Sequence, residues 1–354
     1  MDVSNFTIGT SNDTTTNTTT TSGNPLIATT LKSLILAITI FANLTGNALA
    51  LFVIHRVRKM NPVTKVFMTS MTSSDLCTGV FLCIPSFAAI VAGRWPLGDV
   101  MCSFNAVCMV AFSITTFVSL LNVTIERFIA VTRPFQYDAL VTVSRARVVT
   151  ILTWILAIVL ALLAIRPGRT SKYNYRLHAC LDGPADRDQM NYQGALYVIL
   201  FIIAPFVITI AMFLRLYSLA SHHAAQIAAQ NQIAAAWDHH RRADKPNDGI
   251  HDNNHRNHGN TLRADRKAFI TFFIMTMVLA VSNSPIILVL IYQTTTKYFM
   301  PTPFIFVAMI MVYANTVWNC VIYYARNTAV RDTTKQFLRT MFRMEPNLDL
   351  SFSS

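Results

Sequence analysis

Residues 100–137 read VMCSFNAVCMVAFSITTFVSLLNVTIERFIAVTRPFQY. Between Val100 and Ile125 there is no Asp, Glu, Lys or Arg, and then Glu126-Arg127 arrives. About 20 apolar residues in a helix cross a hydrocarbon core roughly 30 Å thick. Asn105, Asn122 and several threonines interrupt this run, but a helix satisfies its own backbone, so isolated amides and hydroxyls are tolerated. Cys102 and Arg127 would be separated by roughly 37 Å of helix at 1.5 Å per residue. One therefore reaches the outer surface and the other the inner.

The same test, applied outward along the chain, gives seven spans: Leu31–His55, Val63–Ala92, Val100–Val131, Val148–Ile165, Tyr192–Leu219, Ala268–Tyr292 and Pro303–Tyr324. Composition agrees, with 53% hydrophobic and only 13% charged residues among 354. A soluble protein carries roughly 25% charged residues. The net charge of +12 therefore does not indicate a nucleic-acid partner, because most of the chain partitions out of water. The fold class expected is an all-α membrane protein, a seven-transmembrane helix bundle with a short amphipathic helix on the membrane surface. No internal repeat is visible, which weakens a transporter built from duplicated halves.

Basic residues set the orientation. With the N-terminus outside, 21 of the 29 Lys and Arg fall inside, among them Arg56, Arg58, Lys59, Lys65, Arg145, Arg147 and the cluster Arg263, Arg266 and Lys267. An odd number of spans then puts the C-terminus in the cytoplasm, and the plasma membrane is the expected location. Residues 1–30 form an extracellular Thr-, Ser- and Asn-rich tail with glycosylation sequons at Asn5, Asn12 and Asn17. The first span doubles as a signal-anchor. Asn43 and Asn122 also match the sequon but lie inside spans. Residues 31–325 form the bundle, and 326–354 an amphipathic helix and cytoplasmic tail.

Residues 220–265 form a long cytoplasmic third loop, expected to extend the fifth helix and then run disordered. Seven of nine histidines lie there, at spacings that match no defined metal-ligand pattern. In Thr328–Phe342, Val330, Phe337, Leu338, Met341 and Phe342 alternate with Arg331, Lys335 and Arg339. That pattern suits a helix lying on the inner leaflet.

Motifs recur at corresponding depths: Gly46-Asn47, Ser74-Asp75-Leu76, Trp95-Pro96-Leu97-Gly98 before Cys102, Glu126-Arg127-Phe128, Trp154, Pro205, Pro285 and Asn319-Cys320-Val321-Ile322-Tyr323. Together they resemble the rhodopsin-like (class A) G-protein-coupled receptors, over roughly residues 30–343, with a weaker flavour of prostanoid receptors in Glu126–Tyr137. The resemblance implies an extracellular ligand, a heterotrimeric G protein, arrestin and a receptor kinase as partners, and no chemistry by the chain itself. It implies a Cys102–Cys180 disulfide pinning an outer loop over the ligand pocket. It implies a switch at Asp75 with Thr116, Asn315 and Asn319, holding a sodium ion. The alternative is a structural polar network around a protonated Asp75. At the inner face it implies that Glu126 and Asp265 restrain Arg127, that Phe135 enters the G protein and that Tyr323 closes the seventh-span motif.

Three residues depart from the family pattern. Cys320 stands in the place of a proline, Asn283 in that of a tryptophan two residues before Pro285, and Leu279 in that of a phenylalanine. The inferred pocket wall is Met109, Val110, Ser113, Tyr197, Phe201, Asn283, Ile286, Ile287, Leu290, Met309 and Tyr313, apolar with a few hydroxyl and amide groups and no charge. Met109 stands where amine receptors carry an aspartate and Tyr313 where opsins carry a lysine, so neither a biogenic amine nor retinal is expected. A lipid acid beneath Arg166, Arg169, Lys172 and Arg176, or a peptide, is the expected alternative. A channel would need a polar pathway, and no span carries a metal-hydrolase, triad or phosphate-loop pattern of an enzyme.

Overall fold

The computed structural model describes residues 24–57, 60–164, 171–182, 203–204, 206–215, 217–218, 253–296, 298 and 300–341. Asn5, Asn12, Asn17, Tyr197, Phe201 and the outer-loop arginines Arg166 and Arg169 lie outside them. In chain order the helices are α1 (Pro25–Arg56), α2 (Pro62–Thr78), α3 (Ile84–Ala92), α4 (Gly98–Thr132), α5 (Tyr137–Leu140) and α6 (Val143–Ala164). A hairpin of β1 (Ser171–Asn174) and β2 (Ala179–Asp182) follows. The remaining helices are α7 (Phe206–Arg215), α8 (Asn253–Thr296), α9 (Thr302–Arg326) and α10 (Thr328–Met341).

Among the described residues, six helical stretches are long and apolar enough to cross a membrane, the second being α2 and α3 joined through a π-helical turn at Gly79–Cys83. The expected fifth span, Tyr192–Leu219, is described only in part, and that part contains the apolar helix α7. The side chains of the fourth span, among them Ile151, Leu152, Ile155, Leu162 and Leu163, are exposed. An apolar exposed face on a long helix is what lipid tails cover.

Two boundaries differ most from the sequence reading. The first helix begins at Pro25, six residues before Leu31, because Asn24 caps it: its Oδ1 accepts from the Leu26 N–H at 3.1 Å, and Pro25 occupies the first turn, where no N–H is needed. The third loop was expected to be disordered up to residue 265, but α8 starts at Asn253. The membrane-embedded part of the helix supplies the costly nucleus, and polar residues without proline extend it one hydrogen bond at a time.

The third span α4 is the hub and packs on the second, fourth and sixth spans and on the hairpin. The core has two apolar layers. The inner one includes Val53, Ile54, Met68, Met71, Phe117, Val123, Met275 and Tyr323; the outer one includes Leu36, Leu82, Phe112, Ala179, Phe306, Met309 and Tyr313. A polar layer around Asp75 lies between them. The amphipathic helix α10 is present, and it docks on the first span as well: Phe337 meets Phe52 at 4.3 Å between ring centroids, and Val330 joins the inner layer.

Among the described residues, the two prolines inside spans have side chains covering the carbonyls they strand. Pro285 cannot bond Val281 O, and Ser284 Oγ donates to it at 2.9 Å. Pro85 cannot bond Phe81 O, and Asn105 Nδ2 on the third span donates to it at 2.8 Å. Gly79 sits where a Cβ would fall 2.2 Å from Asn43 Oδ1, so only glycine lets the first and second spans approach this closely.

Candidate functional site

The polar layer is assembled from four spans. Asp75 is fully buried. Thr116 Oγ1 donates to its Oδ1 at 3.2 Å and Asn319 Nδ2 to its Oδ2 at 3.0 Å. Asn43 Nδ2 donates to the Asp75 backbone carbonyl at 3.0 Å and also to Thr316 Oγ1. Asn47 Nδ2 donates to Asn43 O at 3.0 Å, and the Cys320 thiol meets Asn47 Oδ1 at 2.9 Å. Three of the four expected residues therefore form one hydrogen-bonded cluster, and Asn315 is buried on the same helix, one turn before Asn319.

The sequence reading missed Asn43 and Thr316. Asn43 precedes Asn47 by one helical turn, which was the available signal. Three buried amide oxygens, Oδ1 of Asn43, Asn315 and Asn319, have no hydrogen-bond partner. Buried unpaired oxygens cost free energy, and hard cations are ligated by such oxygens beside a carboxylate. Asn43 Oδ1 faces Gly79, so the oxygens that would suit a hard cation such as sodium are those of Asp75 and of its partners Thr116 and Asn319.

At the end of the third span opposite Cys102, Arg127 Nε lies 2.7 Å from Glu126 Oε2, with both side chains buried. Arg127 also donates to Thr64 Oγ1, which donates to Glu126 Oε2 at 3.3 Å. Tyr137 OH donates to the other oxygen of Glu126 and accepts from Asn61 Nδ2 at 2.9 Å. Burial, then the bond to Glu126, pushes the Tyr137 phenol above its ordinary range, so it stays a donor. Thr64, Asn61 and Tyr137 complete a clamp of which the sequence showed only Glu126-Arg127. Asp265 lies on α8, but its side chain is outside the described residues. Phe135 is 99% exposed at the inner surface. Tyr323 is buried in the inner layer, donates to Met60 Sδ and accepts from Asn327 Nδ2 at 3.1 Å.

The hairpin packs against the third span, at the end that carries Cys102. Cys102 and Cys180 form the expected disulfide, with Cα atoms 5.3 Å apart. Asn105 accepts the Cys180 N–H at 3.3 Å, so one side chain ties the hairpin to the Pro85 kink. Met109, Ile286, Met309 and Tyr313 meet in the outer apolar layer, with Val110 and Ser113 partly buried on the third span. Ile287 packs instead with the inner layer, and Leu290 is 37% exposed. Three of the polar groups are engaged within the protein: Ser113 donates to Met109 O, Asn283 to Leu279 O, and Tyr313 OH meets Ser86 Oγ at 3.1 Å.

A small, half-open cleft of about 20 Å³ lies deeper, lined by Phe117, Leu120, Leu121, Phe206, Thr209, Thr276, Leu279 and Ala280. It adjoins Leu279, one of the residues that depart from the family pattern.

The family described as "7 transmembrane receptor (rhodopsin family)" matches residues 46–323. The chain is 27% identical to the histamine H2 receptor of Canis lupus familiaris over 153 residues, 42% of this chain and 43% of that protein. It is 29% identical to the octopamine receptor beta-1R of Drosophila melanogaster over 149 residues, 41% of this chain and 29% of that protein. With the histamine H2 receptor of Cavia porcellus it shares 26% identity over 203 residues, 55% and 54% of the two chains. Each of these matches spans less than two thirds of the relative's length. Clamp, disulfide-pinned hairpin and every polar-layer residue except Asn43 lie inside the matched residues, and the chain belongs to the rhodopsin family of seven-transmembrane receptors.

Proposed function

We propose that the chain receives an extracellular ligand at the outer pocket and drives nucleotide exchange on a heterotrimeric G protein at its inner face. The observation that carries this reading is the buried Glu126–Arg127 pair, clamped by Thr64 and Tyr137 at the opposite end of the span that carries Cys102. In the resting state Arg127 is neutralised and held against the second and third spans. Release of the clamp frees Arg127, lets the sixth span move outward and opens a groove that Phe135 flanks. Asp265 on the sixth-span helix is the second restraint. The orientation is that of the basic-residue bias, with the plasma membrane as the site of action and arrestin and a receptor kinase as further partners.

The polar layer is proposed as a sodium-dependent brake. Asp75, Thr116, Asn315 and Asn319 would hold the ion, which supplies positive charge to an otherwise unpaired buried carboxylate. These residues tie the second, third and seventh spans together, and that tie favours the resting arrangement.

For the ligand, the described pocket wall supplies no carboxylate, and Met109 stands where an ammonium would need one. Leaving an ammonium unpaired in an apolar site is costly, so the floor of the pocket suits an uncharged or apolar group. Likeness to histamine and octopamine receptors favours a second reading, an amine paired with a carboxylate elsewhere.

The test is G-protein activation in cells across all G-protein classes, for wild type, Arg127→Ala and Asp265→Ala. Basal signal is expected to fall with Arg127→Ala and rise with Asp265→Ala. Ion flux without nucleotide exchange, or three equal signals at equal surface expression, refutes the coupling mechanism. Activation by histamine or octopamine refutes the uncharged floor.

A further inference from the structure

The outer rim holds a cluster that none of the sites above uses. Lys32 on the first span, His178 in the hairpin turn, Tyr173 on β1 and Phe306 on the seventh span converge there. Lys32 Nζ lies 3.3 Å from His178 Nε2, and Tyr173 OH lies 3.2 Å from His178 Nδ1. The ammonium sits 5.4 Å from the Phe306 ring centroid, and the imidazole meets that ring edge-on at 6.0 Å. His178 has φ 51, alone among the described non-glycine residues in being positive. Such a backbone persists only where surrounding contacts hold it, and these positions cluster at functional sites.

The proton arrangement is dictated by Lys32, because an ammonium has donors and no acceptor. His178 Nε2 must therefore accept, its proton lies on Nδ1, and the Tyr173 oxygen accepts that proton. The Tyr173 O–H is left to donate elsewhere, as are the remaining Lys32 protons. Among the described residues no carboxylate lies within ion-pair distance of Lys32. Among the described residues the rim thus presents donors from two elements and no negative charge. Directly below, Leu36, Phe306 and Met309 belong to the outer apolar layer, and Leu177 packs against it.

We propose that Lys32, His178 and Tyr173 form a carboxylate-binding site for an amphipathic acid. The inference deepens the reading of the chain as a ligand-activated receptor and rests on it. Charge-assisted hydrogen bonds from ammonium and phenol are the strong kind.

Binding also takes up a proton from solvent. Burial, then the neighbouring Lys32 charge, holds the His178 imidazole down to about 4, so it is neutral in the free protein. A carboxylate that accepts from Lys32 and Tyr173 offsets the ammonium charge beside the ring and makes the imidazolium favourable, Nε2 then donating to the carboxylate in place of accepting from Lys32. The other groups facing His178 do not titrate in this range: the seventh span presents the Phe306 ring, and the hairpin presents Tyr173. Arg176 in the same turn is stacked on Tyr175. The site therefore binds more tightly as pH falls from 7.4 to 6.0, where a carboxylic acid remains mostly ionised.

The experiment uses the full chain in lipid nanodiscs, with octanoate and octanol as matched probes and thermal-shift titration at both pH values. Octanoate is expected to bind more tightly than octanol, with the difference widening at pH 6.0. Lys32→Gln is expected to weaken octanoate roughly tenfold or more, the weight of a charge-assisted bond, and to leave octanol unchanged. Lys32→Arg keeps the charge and the selectivity. His178→Gln keeps the selectivity and loses its pH dependence. Equal affinities for the two probes, or an unchanged response in Lys32→Gln, overturns the site, and pH dependence that survives in His178→Gln overturns the proton uptake. Basal nucleotide exchange on the same preparations separates the two readings. Exchange without octanoate selectivity removes only the rim site, and selectivity without exchange removes only G-protein coupling.

Discussion

Tyr137→Phe isolates one hydrogen bond of the cytoplasmic clamp without changing its shape. The phenol donates to a Glu126 oxygen whose residue is 2% exposed, so its loss strands a buried carboxylate lone pair. A hydrogen bond to a charged group contributes about 1.5–3 kcal/mol. At 1.4 kcal/mol per factor of ten, the resting state loses about ten- to a hundredfold of its advantage. A receptor active in one molecule per thousand would then be active in one to ten per cent, and basal nucleotide exchange should rise accordingly. Asn61→Ala removes only the neutral bond behind the phenol, 2.9 Å away, and should raise basal exchange by no more than about fivefold, the equivalent of ~1 kcal/mol. The two substitutions should be non-additive, since both act through one oxygen. The assay is guanine-nucleotide exchange by purified receptor and G protein, normalised to folded receptor. Basal exchange in Tyr137→Phe at or below wild type refutes the clamp as a brake.

Other perturbations probe the bundle itself. Gly79→Ala forces a methyl to 2.2 Å from Asn43 Oδ1 and 3.0 Å from Leu44 Cδ2, so thermal stability should fall by about 1–3 kcal/mol; an unchanged unfolding midpoint counts against that close approach. Asn105→Leu strands Phe81 O and the Cys180 N–H together, and should cost about 2–4 kcal/mol and loosen the hairpin, read as faster reduction of the Cys102–Cys180 disulfide. Leu279→Phe adds a ring beside the small cleft of about 20 Å³ and should stabilise the protein by about 1 kcal/mol; a lower midpoint shows that the cleft cannot accept the ring. Asp75→Asn should abolish any sodium-dependent rise in thermal stability, and a rise that persists places the ion elsewhere.

The bundle was legible in the sequence because a hydrocarbon core imposes one rule on every span. Some 20 residues must be apolar, and their backbone must pair with itself. Val100–Ile125 shows that rule without reference to any neighbour. Asp75 and Glu126-Arg127 were also readable, since charges are rare in such spans and their depth follows from counting residues, whereas the Cys102–Cys180 pairing followed from the family resemblance. The ends of helices were not. Asn24 extends the first span and the membrane-anchored sixth helix reaches back to Asn253 through hydrogen bonds that hydropathy does not register.

What only tertiary structure decided was which ordinary residues meet the special ones. Asn43 looked like a glycosylation sequon, Asn105 like an interruption, and Tyr137, Lys32 and His178 like unremarkable loop or helix-end residues. Each gains its role from a partner on another element, respectively the Asp75 backbone, Phe81 O, Glu126 and one another. Hydropathy along one chain records how much of a residue leaves water, whereas a hydrogen bond depends on distance and direction between two residues far apart in sequence. The membrane rule is a property of each segment, so the sequence carries it; the pairing of buried polar groups is a property of the assembled bundle.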